Sequence, residues 1–121
     1  GFKKGAPYLE GDGKQSRDFC YVQNVVDANI RAMQSPRKFH GQPINIGNGK
    51  QTDLLTVKRL IERYTGKNLL FVKHPPRIGD VRHTRADISK ARRLLGYRPI
   101  VDFETGLRET VEWFKQRTKN Q

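Results

Sequence analysis

The feature that most constrains this chain is the regular spacing of its turn signals. Glycine and proline recur along the sequence and divide it into short segments. Because these residues favour turns and end helices, each segment between them is predicted to form a single element. The turn signals lie at residues 11–13, 35–36, 41, 47–49, 66, 75–76, 79, 96 and 99. The core of such a chain must be assembled from several short helices and strands.

Three short strands are predicted between these turns. In the first, Phe19 and Tyr21 share one face while Cys20 lies on the other, which is the period of two that a strand requires. In the second, Ile44 and Ile46 flank a polar residue. The third is a compact apolar run that ends before two prolines. The predicted strands cover residues 17–22, 44–46 and 69–72.

Four helices are predicted from apolar residues that recur every three or four positions. The first helix follows the first strand directly, and both are expected to be core elements. Thr52 and Asp53 precede the second helix as candidate caps, and Gly66 ends it. Asp87 and Asp102 are placed to cap the third and fourth helices. The predicted helical segments are 22–34, 54–65, 88–95 and 103–119.

Short strands that alternate with helices indicate an α/β fold, or an α+β fold with a small sheet. The length of 121 residues suits a single domain. The strands are few and short, which is typical of part of a larger fold rather than of a complete doubly wound domain. We therefore expect one lobe with about four helices.

Charge is the most distinctive property of the composition. Lysine and arginine total 24 against 12 acidic residues, so the net charge is +12. Such a surface attracts polyanions, which leaves nucleic acid, a nucleotide diphosphate and an acidic partner open. No apolar run approaches the ~20 residues of a membrane span, and the basic N-terminus is not followed by the apolar stretch of a signal peptide. The single cysteine, Cys20, excludes an internal disulfide and favours a cytoplasmic protein in which this thiol is buried and inert.

The common motifs for cofactor and metal chemistry are absent from the sequence. It contains neither a Walker loop nor a G-x-G-x-x-G dinucleotide fingerprint, so its two Gly-x-Gly pairs are interpreted as turns. His40, His74 and His83 do not have the spacing of metal ligands with each other or with Cys20. We therefore predict no cofactor site and no metal site.

Two arginines stand out because they lie next to predicted ordered elements. Arg17 begins the first strand, and Arg77 follows the rigid Pro-Pro turn. Arginine presents a planar fork that binds phosphate oxygens with two hydrogen bonds, so this pair suits a diphosphate. Spacing alone favours a simpler alternative, in which Arg17 pairs with Asp18 and Arg77 with Asp80 as structural ion pairs.

Three longer segments contain specific motifs in a fixed order: GDGKQSRDFCYVQNVVDANI, INIGNGKQTDLLTVKRLI and RIGDVRHTRADISKARRLLGYRPIVDFETGLRETVEWF. Together they resemble the C-terminal half of the extended short-chain dehydrogenase/reductase family, the nucleotide-sugar epimerases and dehydratases. The resemblance extends from about residue 5 to about residue 116. SRDFCYV and GDVRHTRADISKA are most similar to UDP-N-acetylglucosamine 4-epimerases, and UDP-glucose 4-epimerases are near neighbours.

The resemblance implies a role for the charges at the start of the first strand. In the family, this half is the smaller, substrate-binding lobe. The arginine of the RDF motif, here Arg17, and that of R-x-GD, here Arg77, hold the diphosphate of the nucleotide sugar. Asp80 lies at the nucleotide, and Thr84 matches a residue that faces the sugar in some members. The implied ligand is therefore a UDP-sugar.

The sequence also departs from the family. Family members bind NAD through a glycine-rich loop in a Rossmann half, and a Tyr-x-x-x-Lys pair takes part in catalysis. The glycine fingerprint is missing here. The tyrosines, Tyr8, Tyr21, Tyr64 and Tyr97, are followed at the fourth position by Asp12, Val25, Asn68 and Val101. We therefore expect residues 1–121 to form one substrate-binding lobe without catalytic residues, without a cofactor of its own and without activity alone.

Three functions stay open from the sequence. The first is the UDP-sugar-binding lobe of an NAD-dependent epimerase whose Rossmann domain is missing from this chain. The second is a basic nucleic-acid-binding module, although basic residues are spread along the chain and form no single block. The third is an interaction protein that pairs with itself, or with a separately encoded catalytic half, through exposed apolar surface.

Overall fold

The computed structural model describes residues 6–121, which form four helices and four short strands. The strands are β1 (Tyr8–Glu10), β2 (Ser16–Arg17), β3 (Thr52–Asp53) and β4 (Val72–His74). The helices are α1 (Val22–Gln34), α2 (Leu54–Thr65), α3 (Ser89–Leu95) and α4 (Phe103–Lys119). The prediction of a small α/β fold with four helices and few short strands is confirmed.

The strands form two sheets of two strands each. β1 pairs with β4 in parallel, and β2 pairs with β3 antiparallel, with Ser16 opposite Asp53. The segment after β4 joins the second sheet, because the Ser16 N–H donates to the Arg82 carbonyl at 2.9 Å and the Thr84 N–H donates to the Ser16 carbonyl at 3.1 Å. These pairings bring segments that are distant in the sequence to the same place.

The predicted starts of α2 and α4, and the predicted end of α2, are confirmed by their caps. The carboxylate of Asp53 accepts a hydrogen bond from the backbone N–H of Thr56 at 2.6 Å. That of Asp102 accepts one from the N–H of Thr105 at 2.8 Å. Gly66 ends α2 with φ 69°, a left-handed conformation that glycine adopts at low cost.

The start of α3 differs from the prediction by one residue. Ile88 is the N-cap and Ser89 the first helical residue, so Asp87 lies just before the cap. Its carboxylate still accepts a hydrogen bond from the N–H of Ser89 at 2.9 Å. Asp87 therefore satisfies one of the backbone donors that the start of a helix leaves unpaired.

A small apolar core lies between α1 and α3. Its buried residues are Ala28, Ile88, Ala91 and Tyr97. Tyr97 has no exposed surface, and its hydroxyl donates a hydrogen bond to the Gly47 carbonyl at 2.6 Å. On another side of the chain, α2 packs against α4. The core therefore joins the first helix to the segment that precedes α4.

The strand predictions are wrong in several places because pairing decides where strands form. The first predicted strand stops at Arg17, so Cys20 lies half-buried in an irregular segment. The third predicted strand, residues 69–72, overlaps the observed β4 only at Val72. Pairing with β1 places the strand further along the chain. Residues 44–46 form no strand, since no backbone partner for them occurs within residues 6–121. Ile44 and Ile46 nevertheless pack against the core.

Helix α1 turns its apolar stripe away from the core, contrary to the prediction. The stripe is 37–79% exposed and consists of Val22, Val25, Val26, Ile30 and Met33. The opposite face is buried through Ala28 and Asn24. The Asn24 side chain accepts hydrogen bonds from the N–H groups of residues 100 and 101 and donates one to the Val101 carbonyl at 2.8 Å. These bonds fix which face of α1 points inward.

Candidate functional site

Arg17 lies at the end of β2 and is held by three acceptors. Its Nη1 donates to the backbone carbonyl of Ser16 at 2.7 Å and to that of Arg82 at 3.3 Å. Its Nη2 donates to Oδ1 of Asp80 at 2.7 Å. The Arg17 side chain is 28% exposed, so it is ordered and still reaches solvent. An arginine fixed in this way loses little conformational freedom when an anion binds to its remaining N–H groups.

Arg77 follows the Pro-Pro turn and is held more loosely. Its Nη2 donates to Oε1 of Glu10 at 3.3 Å, and its side chain is 69% exposed. The N–H of Asp80 donates to the Arg77 carbonyl at 3.1 Å and closes a tight turn between them. Asp80 therefore reaches Arg17 from the turn that also carries Arg77, whose own side chain pairs with Glu10.

A groove of about 660 Å³ lies at this turn, next to β1 and β4. Its charged lining residues are Lys73, Arg77, Arg82, Glu10, Asp12 and Asp80. Arg17 is joined to the groove through its ion pair with Asp80. The ring of His74, another lining residue, stacks on Tyr8 with centroids 4.7 Å apart. The groove thus combines three cations with three carboxylates and an aromatic surface.

A two-armed ion pair stabilises one side of the groove. Both terminal nitrogens of Arg82 donate to the carboxylate of Asp12, at 2.9 and 3.0 Å. These hydrogen bonds lower the pKa of Asp12 to about 2. The pair ties the turn at residues 11–13 to the segment after Asp80, and that segment supplies the Arg82 carbonyl that Arg17 bonds.

Thr84 is connected to this group only through its backbone. Its N–H donates to the carbonyl of Ser16, the residue before Arg17. Thr84 itself is exposed, and it does not line the groove. Of the four site residues predicted from the sequence, Arg17 and Asp80 form an ion pair, Arg77 lies on the same turn as Asp80, and Thr84 lies beside β2.

The ion pairs that spacing favoured are not formed. Arg17 pairs with Asp80 instead of Asp18, whose carboxylate accepts three backbone N–H groups. Arg77 pairs with Glu10 instead of Asp80. Both predictions are wrong because residues distant in the sequence supply the carboxylates.

Glu10, Asp12 and Arg82 are site residues that the sequence reasoning missed. Asp12 lies inside a Gly-x-Gly pair that was interpreted as a turn, and Arg82 follows the R-x-GD motif. Their positions in the sequence carry no signal for the site, since their contacts depend on the pairing of β1 with β4.

Cys20, Tyr97 and His83 lie outside this groove and contact other residues of the fold. Burial raises the pKa of the Cys20 thiol, and burial also raises the pKa of the Tyr97 hydroxyl, which lies 4.0 Å from it. Nδ1 of His83 lies 2.7 Å from Oγ of Ser16. In residues 6–121, no three or more His, Cys, Asp or Glu side chains are grouped as metal ligands. Over the same range, no helix is long and apolar enough to cross a membrane.

The sequence and the fold both match known proteins. The family profile described as GDP-mannose 4,6 dehydratase matches residues 2–110. The crystal structure of UDP-glucose 4-epimerase from Thermotoga maritima with UDP-glucose is 38% identical, with a TM-score of 0.81. That match covers 93% of this chain and 35% of the epimerase chain.

Two further solved structures are similar. UDP-N-acetylglucosamine 4-epimerase from Methanobrevibacter ruminantium, in complex with UDP-N-acetylmuramic acid, is 34% identical with a TM-score of 0.79 over 93% of this chain and 35% of its own. UDP-glucuronic acid 4-epimerase from Bacillus cereus, in complex with NAD, is 33% identical with a TM-score of 0.79 over 92% of this chain and 35% of its own. The chain spans about a third of the length of the curated relatives that it matches.

Proposed function

The chain belongs to the GDP-mannose 4,6 dehydratase family, and we propose that it is the substrate-binding lobe of an NAD-dependent UDP-sugar 4-epimerase. The observation that carries this proposal is that Arg77 and Asp80 line one groove while Asp80 holds Arg17 beside it through an ion pair. Similar proteins of known structure are UDP-sugar 4-epimerases, one with UDP-glucose and another with NAD. In this proposal, residues 1–121 form one lobe that binds and orients the nucleotide.

The diphosphate would be bound by one fixed arginine and one adaptable arginine. Arg17 is already oriented by Asp80 and two backbone carbonyls, so its remaining N–H groups are available without reordering. Arg77 exchanges its contact with Glu10 for a phosphate oxygen. Arginine suits this task because its planar fork matches two phosphate oxygens at once. Lys73 adds positive charge to the same groove, whereas Arg82 is already paired with Asp12.

Asp80 and Thr84 have secondary roles in this proposal. Asp80 orients Arg17 and also lines the groove, where its carboxylate accepts hydrogen bonds from hydroxyl groups of the nucleotide. Thr84 lies across from β2, on the segment that leads away from the diphosphate, and is assigned to the sugar. These assignments follow the family resemblance residue by residue.

Among UDP-sugars, we assign UDP-N-acetylglucosamine as the ligand. The assignment rests on the resemblance of SRDFCYV and GDVRHTRADISKA to UDP-N-acetylglucosamine 4-epimerases. One structural relative has that name, whereas others are named for UDP-glucose and UDP-glucuronic acid. The test therefore compares several UDP-sugars with UDP alone.

The chain itself does not fit NAD or the proton transfers of an epimerase. Its sequence lacks the glycine-rich fingerprint that binds a dinucleotide, and none of its tyrosines is followed by a lysine at the fourth position. The proposal therefore assigns this chain the positioning of the substrate, which contributes to rate by holding reactants in register. It assigns catalysis to an NAD-binding domain that residues 1–121 do not supply. The predicted location is the cytoplasm.

The exposed apolar stripe of α1 is the surface through which we propose that the lobe meets that domain. A contiguous apolar face of this kind is unusual on a free surface. Ile44 and Ile46 pack against the core that includes Ala28 of α1, and residues 44–46 have no strand partner in the described part of the chain. Self-association through this face is the competing outcome. A mass that rises with concentration in sedimentation, and that Val26→Lys abolishes, would identify a homo-oligomer instead.

Calorimetric titration of the chain with UDP and with UDP-sugars tests the binding function. Arg17→Ala is expected to weaken UDP binding roughly 10- to 100-fold, the effect of losing a charge-assisted phosphate contact. Arg77→Ala is expected to weaken it roughly 3- to 10-fold, because ordering this exposed side chain offsets part of its contact. Arg→Lys at either position should restore binding only in part.

The matched control is Arg63→Ala, because Arg63 is a surface arginine on α2 whose partner is Glu104 at 3.9 Å. It should leave UDP affinity unchanged. A short DNA duplex is the second control. Binding to DNA that is stronger than to UDP and that falls steeply with salt would replace the proposal with the nucleic-acid function. Equal affinity of the native chain, Arg17→Ala and Arg77→Ala would also reject it.

A further inference from the structure

The carboxylate of Asp18 is the meeting point of three chain segments. Its Oδ1 accepts a hydrogen bond from the backbone N–H of Asn48 at 2.8 Å. Its Oδ2 accepts from the N–H of Gly49 at 2.8 Å and from that of Ala86 at 3.1 Å. Hydrogen bonds from N–H groups to a carboxylate are charge-assisted and stronger than those between neutral groups. This side chain therefore joins the end of β2 to two distant loops.

The turn that holds Asp18 is itself anchored in the core. The hydroxyl of the buried Tyr97 donates to the Gly47 carbonyl at 2.6 Å. A Cβ built at Gly47 would lie 2.6 Å from Cβ of Ala86 and 2.9 Å from Oδ2 of Asp18, so no larger residue fits there. Three motifs therefore contribute to this arrangement. NIG-x-G and ADISKA supply N–H groups that bond Asp18, and LGY supplies the tyrosine that anchors the turn. The proposed binding site assigns none of them a role.

This arrangement bears directly on Arg17, the residue before Asp18. Ser16 is bonded to the Thr84 N–H on one side of Arg17, and Asp18 is bonded to the Ala86 N–H on the other. The segment that supplies the Arg82 carbonyl to Arg17 is therefore held against β2 at three points, since the Ser16 N–H also donates to that carbonyl. Loss of the Asp18 contacts would free one of them.

We propose that Asp18 is a positioning residue that fixes the direction of the Arg17 guanidinium and the placement of Thr84 for the bound nucleotide. It acts through these neighbours, and all three of its hydrogen-bond partners are backbone groups of this chain. The inference rests on the proposed UDP-sugar binding. It differs from a general structural role because it predicts that the effect of Asp18 on binding depends on Arg17.

A double-mutant cycle tests this dependence. UDP affinity is measured for the native chain, Asp18→Asn, Arg17→Ala and the double variant. Asparagine has nearly the same shape, but its NH₂ group faces a backbone N–H donor in place of a carboxylate oxygen. Asp18→Asn should weaken UDP binding roughly 5- to 10-fold in the native background and less than about 2-fold in the Arg17→Ala background, since coupled residues are not additive.

Asp102→Ala is the matched control, because Asp102 also accepts a backbone N–H but caps α4. It should lower the urea midpoint of unfolding while leaving UDP affinity unchanged. An equal loss of affinity for Asp18→Asn in both backgrounds, or no loss in either, would overturn the positioning role. If Asp18→Asn does not fold, Gly47→Ala displaces the same carboxylate sterically. Loss of folding in both, while Asp102→Ala stays folded, would assign Asp18 to the fold alone.

A native chain that does not bind UDP would reject the proposed function and not this inference. In that case, the side-chain Nε–H resonance of Arg17 is compared between the native chain and Asp18→Asn without ligand. A changed shift, with no change in Asp102→Ala, supports positioning. An unchanged Arg17 resonance overturns it.

Discussion

Glu10→Gln is expected to strengthen the binding of UDP, although it removes a contact. Oε1 of Glu10 lies 3.3 Å from Nη2 of Arg77, the nitrogen assigned to a phosphate oxygen. A phosphate at that nitrogen would lie on the order of 6 Å from the carboxylate, where two unit charges repel by about 0.7 kcal/mol in water. Salt at about 0.15 M reduces this repulsion by roughly half. Because UDP carries a second phosphate, the total repulsion from Glu10 returns to about the same value.

The exposed Glu10–Arg77 pair must also be broken when UDP binds, which costs about 0–1 kcal/mol. Together, the two effects predict a gain of about 0.5–1 kcal/mol, or roughly 2- to 5-fold tighter binding. Calorimetry with UDP at low and high salt measures it, and the gain should shrink as salt rises. Uridine, which has no phosphate, should show no gain. Glu104→Gln is the control variant, since Glu104 pairs with Arg63 on α2 and α4. Weaker binding by Glu10→Gln, or an equal gain for Glu104→Gln, would refute the reasoning.

Three further predictions concern stability. Gly106→Ala should lower the urea midpoint, because a Cβ there would lie 2.7 Å from Cβ of Tyr21. The overpacking costs about 1–3 kcal/mol, which exceeds the gain in helix propensity of about 1 kcal/mol. A higher midpoint would contradict it. Tyr97→Phe should destabilise the chain by about 1–3 kcal/mol, since it leaves the backbone carbonyl that its hydroxyl bonds unpaired, and an unchanged thermal midpoint would exclude this. The pKa of Asp12 is lowered from 3.8 to about 2, so its pairing stabilises the fold above about pH 4 and is lost as the pH falls through about 2. Arg82→Ala should reduce that part of the acid dependence, although the Lys14 N–H still bonds the Asp12 carboxylate. Superimposable acid-unfolding curves for the native chain and the variant would argue against it.

The helices could be predicted from the sequence because their signals are local. Asp53 and Gly66 mark the ends of α2 within a few residues of the apolar stripe between them. The bounds of α1 were predicted correctly, but its orientation was not. Periodicity locates an apolar stripe without showing what covers it, and the buried face of α1 is fixed by hydrogen bonds from Asn24 to residues 100 and 101.

The strands and the partners of the site residues could not be predicted in the same way. Residues 44–46 have the pattern of a strand and lack a pairing partner in the described residues. The chemistry of arginine and the family resemblance identified Arg17 and Arg77. Their carboxylate partners, Asp80 and Glu10, lie more than 60 positions away and come into contact only through the pairing of β1 with β4 and the turn after it.

The central claim is that Arg17 and Arg77 bind the diphosphate of a nucleotide. It is tested most directly by an NMR titration of the ¹⁵N-labelled chain with UDP and, separately, with uridine, observing backbone amides and arginine Nε–H groups. We predict saturable shifts clustered at Arg17, Arg77 and Asp80 with UDP, and much weaker shifts with uridine. Shifts that do not saturate, or that lie instead at the separate cavity lined by Lys50 and Arg92, would contradict the claim.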